Sequence, residues 1–185
     1  MIKKFNYQNY FNLICSNVNN DPHITKKINI LKEKIILCKK SKKKVLIFGN
    51  GGSSAIASHF ATDLTKAAGI RCVNFSDPSL ITCLSNDFGF KNWIKKAIEY
   101  YADNNDILIL ISSKGESQNI INAKKIKKIK FSFIATFTGF AKNNKVSKIG
   151  NLSFWVNSSV YNIVENVHQI WLLSIIDSIL YDKKN

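Results

Sequence analysis

The chain has 185 residues, 45% of them apolar, and a formal net charge of +15. That length and apolar content suit one domain with a full-sized core. No stretch reaches the ~20 uninterrupted apolar residues of a membrane span, since Ile170–Leu180 is short and interrupted by Asp177, and the lysine-bearing N-terminus has no signal-peptide apolar core. A membrane partner is therefore excluded, and a cytoplasmic location is expected.

The positive charge gathers in Lys39–Lys44 and Lys124–Lys130. No basic stripe with interleaved aromatics accompanies it, and there is one arginine, so it reads as a solvated basic face rather than a specific nucleic-acid site. Such a face still attracts anionic ligands. The four cysteines show no CxxC pairing and read as free thiols in a reducing compartment.

In chain order, residues 2–20 read as a helix carrying Phe5, Tyr10, Phe11, Leu13 and Ile14, stopped by the breaker Asn20-Asp21-Pro22. Residues 24–40 form a second amphipathic helix, with Ile28, Ile30, Leu31 and Ile35 recurring near a 3.6 period. Strands follow at 45–48, 71–75, 107–111, 132–137 and 152–156, with helices at 53–68, 78–85, 90–103, 117–128 and 160–181. Short apolar strands alternating with helices mean a parallel sheet covered on both faces. The expected fold is α/β, a three-layer αβα sandwich on a five-stranded parallel sheet, with 1–185 as one domain. Residues 41–185 make its core. The helices of 1–40 cannot join the sheet, and a subunit interface is where their apolar faces are expected to pack.

The stretch Val45-Leu-Ile-Phe-Gly-Asn-Gly-Gly-Ser-Ser54 reads as a buried strand, a glycine turn, and a helix opening on hydroxyls. Turn glycines let backbone N–H groups approach an anion, and a helix N-terminus adds partial positive charge. Asn50, Gly51, Gly52 and Ser53 are therefore candidate phosphate-binding residues, and Ser53 and Ser54 are also candidate helix caps. A Walker A loop is excluded because no Gly-Lys-Ser/Thr follows. A dinucleotide fingerprint fails at its third glycine, where Ser54 stands, although Asp77 after the next strand imitates the ribose-binding acid. No nucleotide cofactor is expected.

Asp106-Ile-Leu-Ile-Leu-Ile-Ser-Ser-Lys-Gly-Glu-Ser117 repeats the plan. Ser112, Ser113 and Ser117 suit phosphate or sugar hydroxyls, and Lys114 adds charge. Ordinary capping needs one serine, not three with a lysine. Ligands in open parallel sheets collect at the carboxyl ends of the strands, so two such loops on adjacent strands would grip one small ligand.

The candidate acids and bases are few. His59 and Asp63, spaced i, i+4, share a helix face. Glu165 stands on the last helix with His168 three residues on. These spacings suit a metal site or an acid–base pair. Equally, each carboxylate alone reads as a solvated charge, and His168 as a core histidine. Asp87, in Ser85-Asn-Asp-Phe-Gly89, is a candidate contact for sugar hydroxyls, or else a turn residue.

Gly49-Asn-Gly-Gly-Ser53 with Ser112-Ser-Lys-Gly-Glu-Ser117 resembles the sugar isomerase (SIS) domain, a flavodoxin-like fold. Ser58-His-Phe-Ala-Thr-Asp-Leu64, Ser85-Asn-Asp-Phe-Gly89 and Val164-Glu-Asn-Val-His168 resemble the phosphoheptose isomerases within it. The resemblance implies a ketose–aldose isomerase, with sedoheptulose 7-phosphate giving D-glycero-D-manno-heptose 7-phosphate for surface-polysaccharide precursors. It also implies a homotetramer with sites between subunits. Its zinc ligands would be a His and a Glu on the first helix of the sheet domain, then a Gln and a His on the last. Here His59 matches, Asp63 stands for the Glu, Glu165 for the Gln, and Leu173 for the final His. Zinc on His59, Asp63 and Glu165 is thus a candidate cofactor. Glu165 is the expected principal base, assisted by Asp63 or His59. The alternative is a noncatalytic SIS module that binds a sugar phosphate or a protein partner.

Overall fold

In the computed structural model, which describes residues 5–19 and 21–184, five short strands build one sheet. They are Val45–Phe48 (β1), Cys72–Asn74 (β2), Ile107–Ser112 (β3), Phe133–Thr138 (β4) and Leu152–Trp155 (β5). Their order is β2-β1-β3-β4-β5, and every pair is parallel. β1 and β3 are buried along their whole length, which explains why they read as continuous apolar runs rather than alternating ones. Val45, Ile47, Ile107, Ile109 and Ile111 pack into one core layer. Their neighbours Leu46, Phe48, Leu108 and Leu110 pack into the opposite layer, as the period of two requires.

The first layer holds helices Ile24–Lys40 (α2), Gly52–Lys66 (α3) and Tyr161–Lys184 (α7). The second holds Pro78–Phe88 (α4), Trp93–Tyr101 (α5) and Gln118–Asn122 (α6). The N-terminal helix Tyr7–Val18 (α1) is capped by the Asn6 side chain and packs on α7, where Trp171 Nε1 donates to Val18 O at 3.0 Å. Its start therefore falls later than the sequence suggests, and residues 2–4 and 20 of the expected 2–20 helix lie outside the described residues. α7 is long and apolar enough to cross a membrane by length and composition. Val164, Val167, Trp171, Leu172 and Ile175 bury its inner face against the sheet, so it is a core helix.

One element departs from the expectation of a helix at 117–128. α6 ends at Asn122, a single 3-10 turn follows at Ala123–Lys125, and the rest is irregular. Only Ile120 and Ala123 of that segment reach full apolar burial. The lysine run then places like charges at helical spacing, and its Ile126 packs on the core only half-buried.

The two lysine runs meet at the pole where the strands begin. Lys44, just before β1, bonds the buried Asp106 carboxylate at 2.8 Å and Asp103 at 2.7 Å. Lys130 O accepts from Asn105 N beside them. This pole is opposite the strand ends that carry the two loops, so the runs act on a ligand only through the long-range field.

His168 is wholly buried on α7. Its Nε2 lies 3.1 Å from Thr138 O, while Nδ1 has no partner. Burial holds its pKa down, from 6.5 to about 4. The unfolded chain therefore takes up this proton below about pH 6.5 and the folded one not until about 4. Stability is full above that window and falls as pH drops through it, by about 3 kcal/mol from this group. Urea unfolding at pH 7 and 4.5 should show the loss in the native chain and most of it gone in His168→Gln. Equal pH slopes in both would show that His168 protonates within the fold.

Candidate active site

β1 and β3 are neighbours, but the chain leaves them in opposite directions along the sheet, β1 towards β2 and β3 towards β4. Their carboxyl ends therefore open a crevice at the switch point of the strand order. Both expected loops line it.

After β1 the chain turns at Gly51, whose φ of +54° is a left-handed conformation that favours glycine. Gly51 is the N-cap of α3 and no side chain caps that helix, so the expected capping by Ser53 or Ser54 does not occur. The reason is that α3 starts two residues earlier than a serine cap requires. Ser53 Oγ instead lies 3.3 Å from Ser113 Oγ, and Ser54 Oγ 2.6 Å from Ser76 Oγ. In the second loop Ser117 makes no side-chain cap either, and its hydroxyl accepts from Ser112 Oγ at 3.1 Å. Hydroxyls not used as caps, beside uncapped first-turn amides, make an anion-binding surface.

The loops are tied together by a reciprocal amide pair. Asn50 Nδ2 donates to Asn119 Oδ1 at 3.0 Å, and Asn119 Nδ2 donates to Asn50 Oδ1 at 2.9 Å. Asn119 is buried on α6 and was not among the expected site residues. Its side of α6 is buried together with Ile120 and a second amide, Asn122.

The resulting cleft, of about 330 Å³, is lined by Asn50, Ser53, Ser112, Ser113, Lys114 and Ser117, with Glu116, Tyr161 and Glu165 closing it. Glu165 comes from α7. Its Oε1 accepts from Ser113 Oγ at 3.1 Å, and its carboxylate lies against the Cα of Gly52, where a Cβ would collide with it. Glu165 also forms a wall of a second cleft, of about 360 Å³, lined by Gly52, Ala55, His59, Asn162, Asn166 and Gln169. Here His59 Nε2 lies 3.1 Å from Asp63 Oδ2, and Gln169 Nε2 lies 3.4 Å from His59 Nδ1.

Glu165 thus stands between a hydroxyl-rich anion cleft and a His–Asp pair. Asp87 is not brought in. It sits exposed in the last turn of α4, near Asn86 and Cys83, and lines neither cleft. It is a helix residue, and the turn follows it at Gly89.

The zinc donor set does not assemble. His59 Nε2 and Asp63 Oδ2 are engaged with each other, while Glu165 turns to Ser113 and Gly52. Among the described residues no three His, Cys, Asp or Glu side chains form a group able to hold a metal. Leu173 offers no ligand atom and packs on the apolar core.

A doubly wound α/β domain with two serine-lined loops at its switch point defines a class: domains that grip a small anionic ligand between β1 and β3. Comparison narrows it. The SIS domain family model matches residues 6–137. The chain is 32% identical over 158 residues to the phosphoheptose isomerase of Glaesserella parasuis serovar 5, covering 80% of each. It is 33% identical over 143 residues to that of Fusobacterium nucleatum, covering 74% of this chain and 73% of the relative. In fold it is similar to phosphoheptose isomerase from Neisseria gonorrhoeae, with a TM-score of 0.83, 23% identity and coverage of 94% and 96%. The chain belongs to the phosphoheptose isomerases of the SIS domain family.

Proposed function

We propose that the chain is a ketose–aldose isomerase of a sugar phosphate, converting sedoheptulose 7-phosphate to D-glycero-D-manno-heptose 7-phosphate for surface-polysaccharide precursors. The observation that carries this reading is the placement of Glu165, which joins the anion cleft to the His59–Asp63 pair. The phosphate sits among Ser112, Ser113, Ser117 and Lys114, with the first-turn amides of α3. Holding that end fixes the reach of the open chain, which is the entropic part of the catalysis.

The reaction needs no redox partner. Glu165 takes a proton from C1 of the ketose, giving an enediolate, and returns it to C2. The proton on O1 passes to O2, with His59 as carrier. Ser113 donates to Glu165 Oε1 and Gly52 backs the carboxylate, so the base is held without a counter-cation. The reading is metal-free: each step runs through these side chains alone.

Self-association belongs to the same reading. Phe5, Tyr7, Phe11 and Leu13 on and before α1 are at least half exposed, as a face awaiting a second copy would be. A cytoplasmic location is consistent with it.

The test is an NMR assay with sedoheptulose 7-phosphate, with and without chelator. Turnover insensitive to chelator is expected. Turnover abolished by chelator would keep the isomerase and overturn the metal-free reading. Binding of the sugar phosphate without turnover would leave the noncatalytic SIS module, which the loss of a donor at Leu173 would then explain.

A further inference from the structure

The anion cleft has a wall that an anion does not need. Tyr161, the first residue of α7, lines it and is 53% exposed. Apart from Ile111, the rest of the lining carries hydroxyl, amide or charged groups. Those groups satisfy phosphate oxygens, and an aromatic face adds nothing for them. A half-exposed ring does offer apolar surface for a ligand to cover.

The ring is also held. Tyr161 rests against Phe140, with ring centroids 4.8 Å apart and planes inclined at 56°. Phe140 has a φ of +55°, a left-handed conformation that a bulky side chain rarely takes. Such a conformation persists only where the surroundings impose it, and it is commonest at ligand sites. Here Phe140 N donates to Ser158 O at 2.8 Å, and Trp155 Nε1 donates to Phe140 O at 3.2 Å. Next to it, Gly139 N donates to Ser113 O at 2.8 Å, in the second ligand loop. Gly139 also lies so close to α7 that a Cβ there would collide with Val164. The aromatic pair is thereby fixed relative to the serines of the anion cleft.

We propose that Tyr161, positioned by Phe140, is a specificity residue whose ring face lies along the carbon chain of the bound sugar phosphate. The carbon-bound hydrogens on one side of a polyol chain form an apolar strip that gains by burial against a ring. The hydroxyls on the other side stay free for the polar lining. The cleft then favours a phosphate monoester with an extended chain over the bare anion, which the loops alone would hold. This role rests on the reading of the cleft as a sugar-phosphate site, but not on the isomerisation chemistry.

The test is calorimetric titration of the full chain with sedoheptulose 7-phosphate and, separately, with inorganic phosphate. Tyr161→Ala should weaken sugar-phosphate binding about tenfold and leave phosphate binding within about twofold. Tyr161→Phe, which keeps the ring face, should restore the native affinity. Phe140→Leu, acting through Tyr161, should weaken sugar-phosphate binding a few-fold and add nothing in a Tyr161→Ala background. Equal losses for both ligands in Tyr161→Ala, or native sugar-phosphate affinity in it, would overturn the proposal. So would a Tyr161→Phe as weak as Tyr161→Ala, additive effects of Phe140→Leu, or a native chain that binds the sugar phosphate no tighter than phosphate. A native chain that binds sedoheptulose 7-phosphate without turning it over would fail as an isomerase, while the variants still decide the role of Tyr161.

Discussion

Glu165→Gln should lower kcat by a factor on the order of 10² to 10⁴ while leaving the fold intact, the range that a positioned acid–base group supplies. The substitution keeps shape, and the amide oxygen can still accept from Ser113 Oγ, as Glu165 Oε1 does at 3.1 Å. What it removes is the ability to take a proton from carbon. Two measurements separate this from a binding defect. Sugar-phosphate affinity should stay within a few-fold of native, because the anion cleft is built mainly from the two loops. Exchange of the C1 hydrogen with deuterated solvent, which the enediolate allows, should vanish together with turnover. A fully active Glu165→Gln would move the base elsewhere in the site, with His59 the next candidate.

Gly52→Ala should cost roughly 10² in turnover, the scale on which a displacement of about 1 Å matters to a reacting group. The new Cβ would occupy the space of the Glu165 carboxylate. That carboxylate is the far end of a flexible side chain, so it can move aside rather than break the fold. Gly52 is exposed and lies in the first turn of α3, where alanine is at least as good a helix former as glycine. Its melting temperature should therefore stay near the native value. Activity lost with stability kept would show that the position of Glu165, and not its presence alone, sets the rate. Native activity in Gly52→Ala would show that the carboxylate tolerates a swing, and the fixed base would have to be given up.

These two expectations differ in how far the sequence supports them. Glu165 was visible as one of few carboxylates on the last helix. Its dependence on Gly52 was not, because the two positions are far apart in the chain and meet only when α7 packs beside α3. The same division runs through the fold. α2 falls where its apolar period puts it, at Ile24–Lys40, and β1 where its continuous apolar run does, at Val45–Phe48. The α6 region was read as too long, because a lysine run can follow a helical period yet bury little beyond a half-buried Ile126. Ser53 was read as suited both to capping and to ligand binding, and Ser117, with its neighbouring serines, as favouring a ligand. The observed bonds, Ser53 to Ser113 and Ser112 to Ser117, decide against capping.

The sequence by itself determined the layered α/β architecture and the two ligand loops. Both follow from short-range rules: residue periods of 2 and 3.6, and glycine or hydroxyl groups at the end of a strand. Only the tertiary structure decided which distant groups meet. Asn50 pairs with Asn119, Ser113 with Glu165, and His59 with Gln169, across separations of 69, 52 and 110 residues. It also left Asp87 outside both clefts and Asp63 bonded to His59 instead of joined with Glu165 around a metal. The physical reason is that strand order and helix packing fix these meetings, and neither is encoded in the local spacing of the residues concerned.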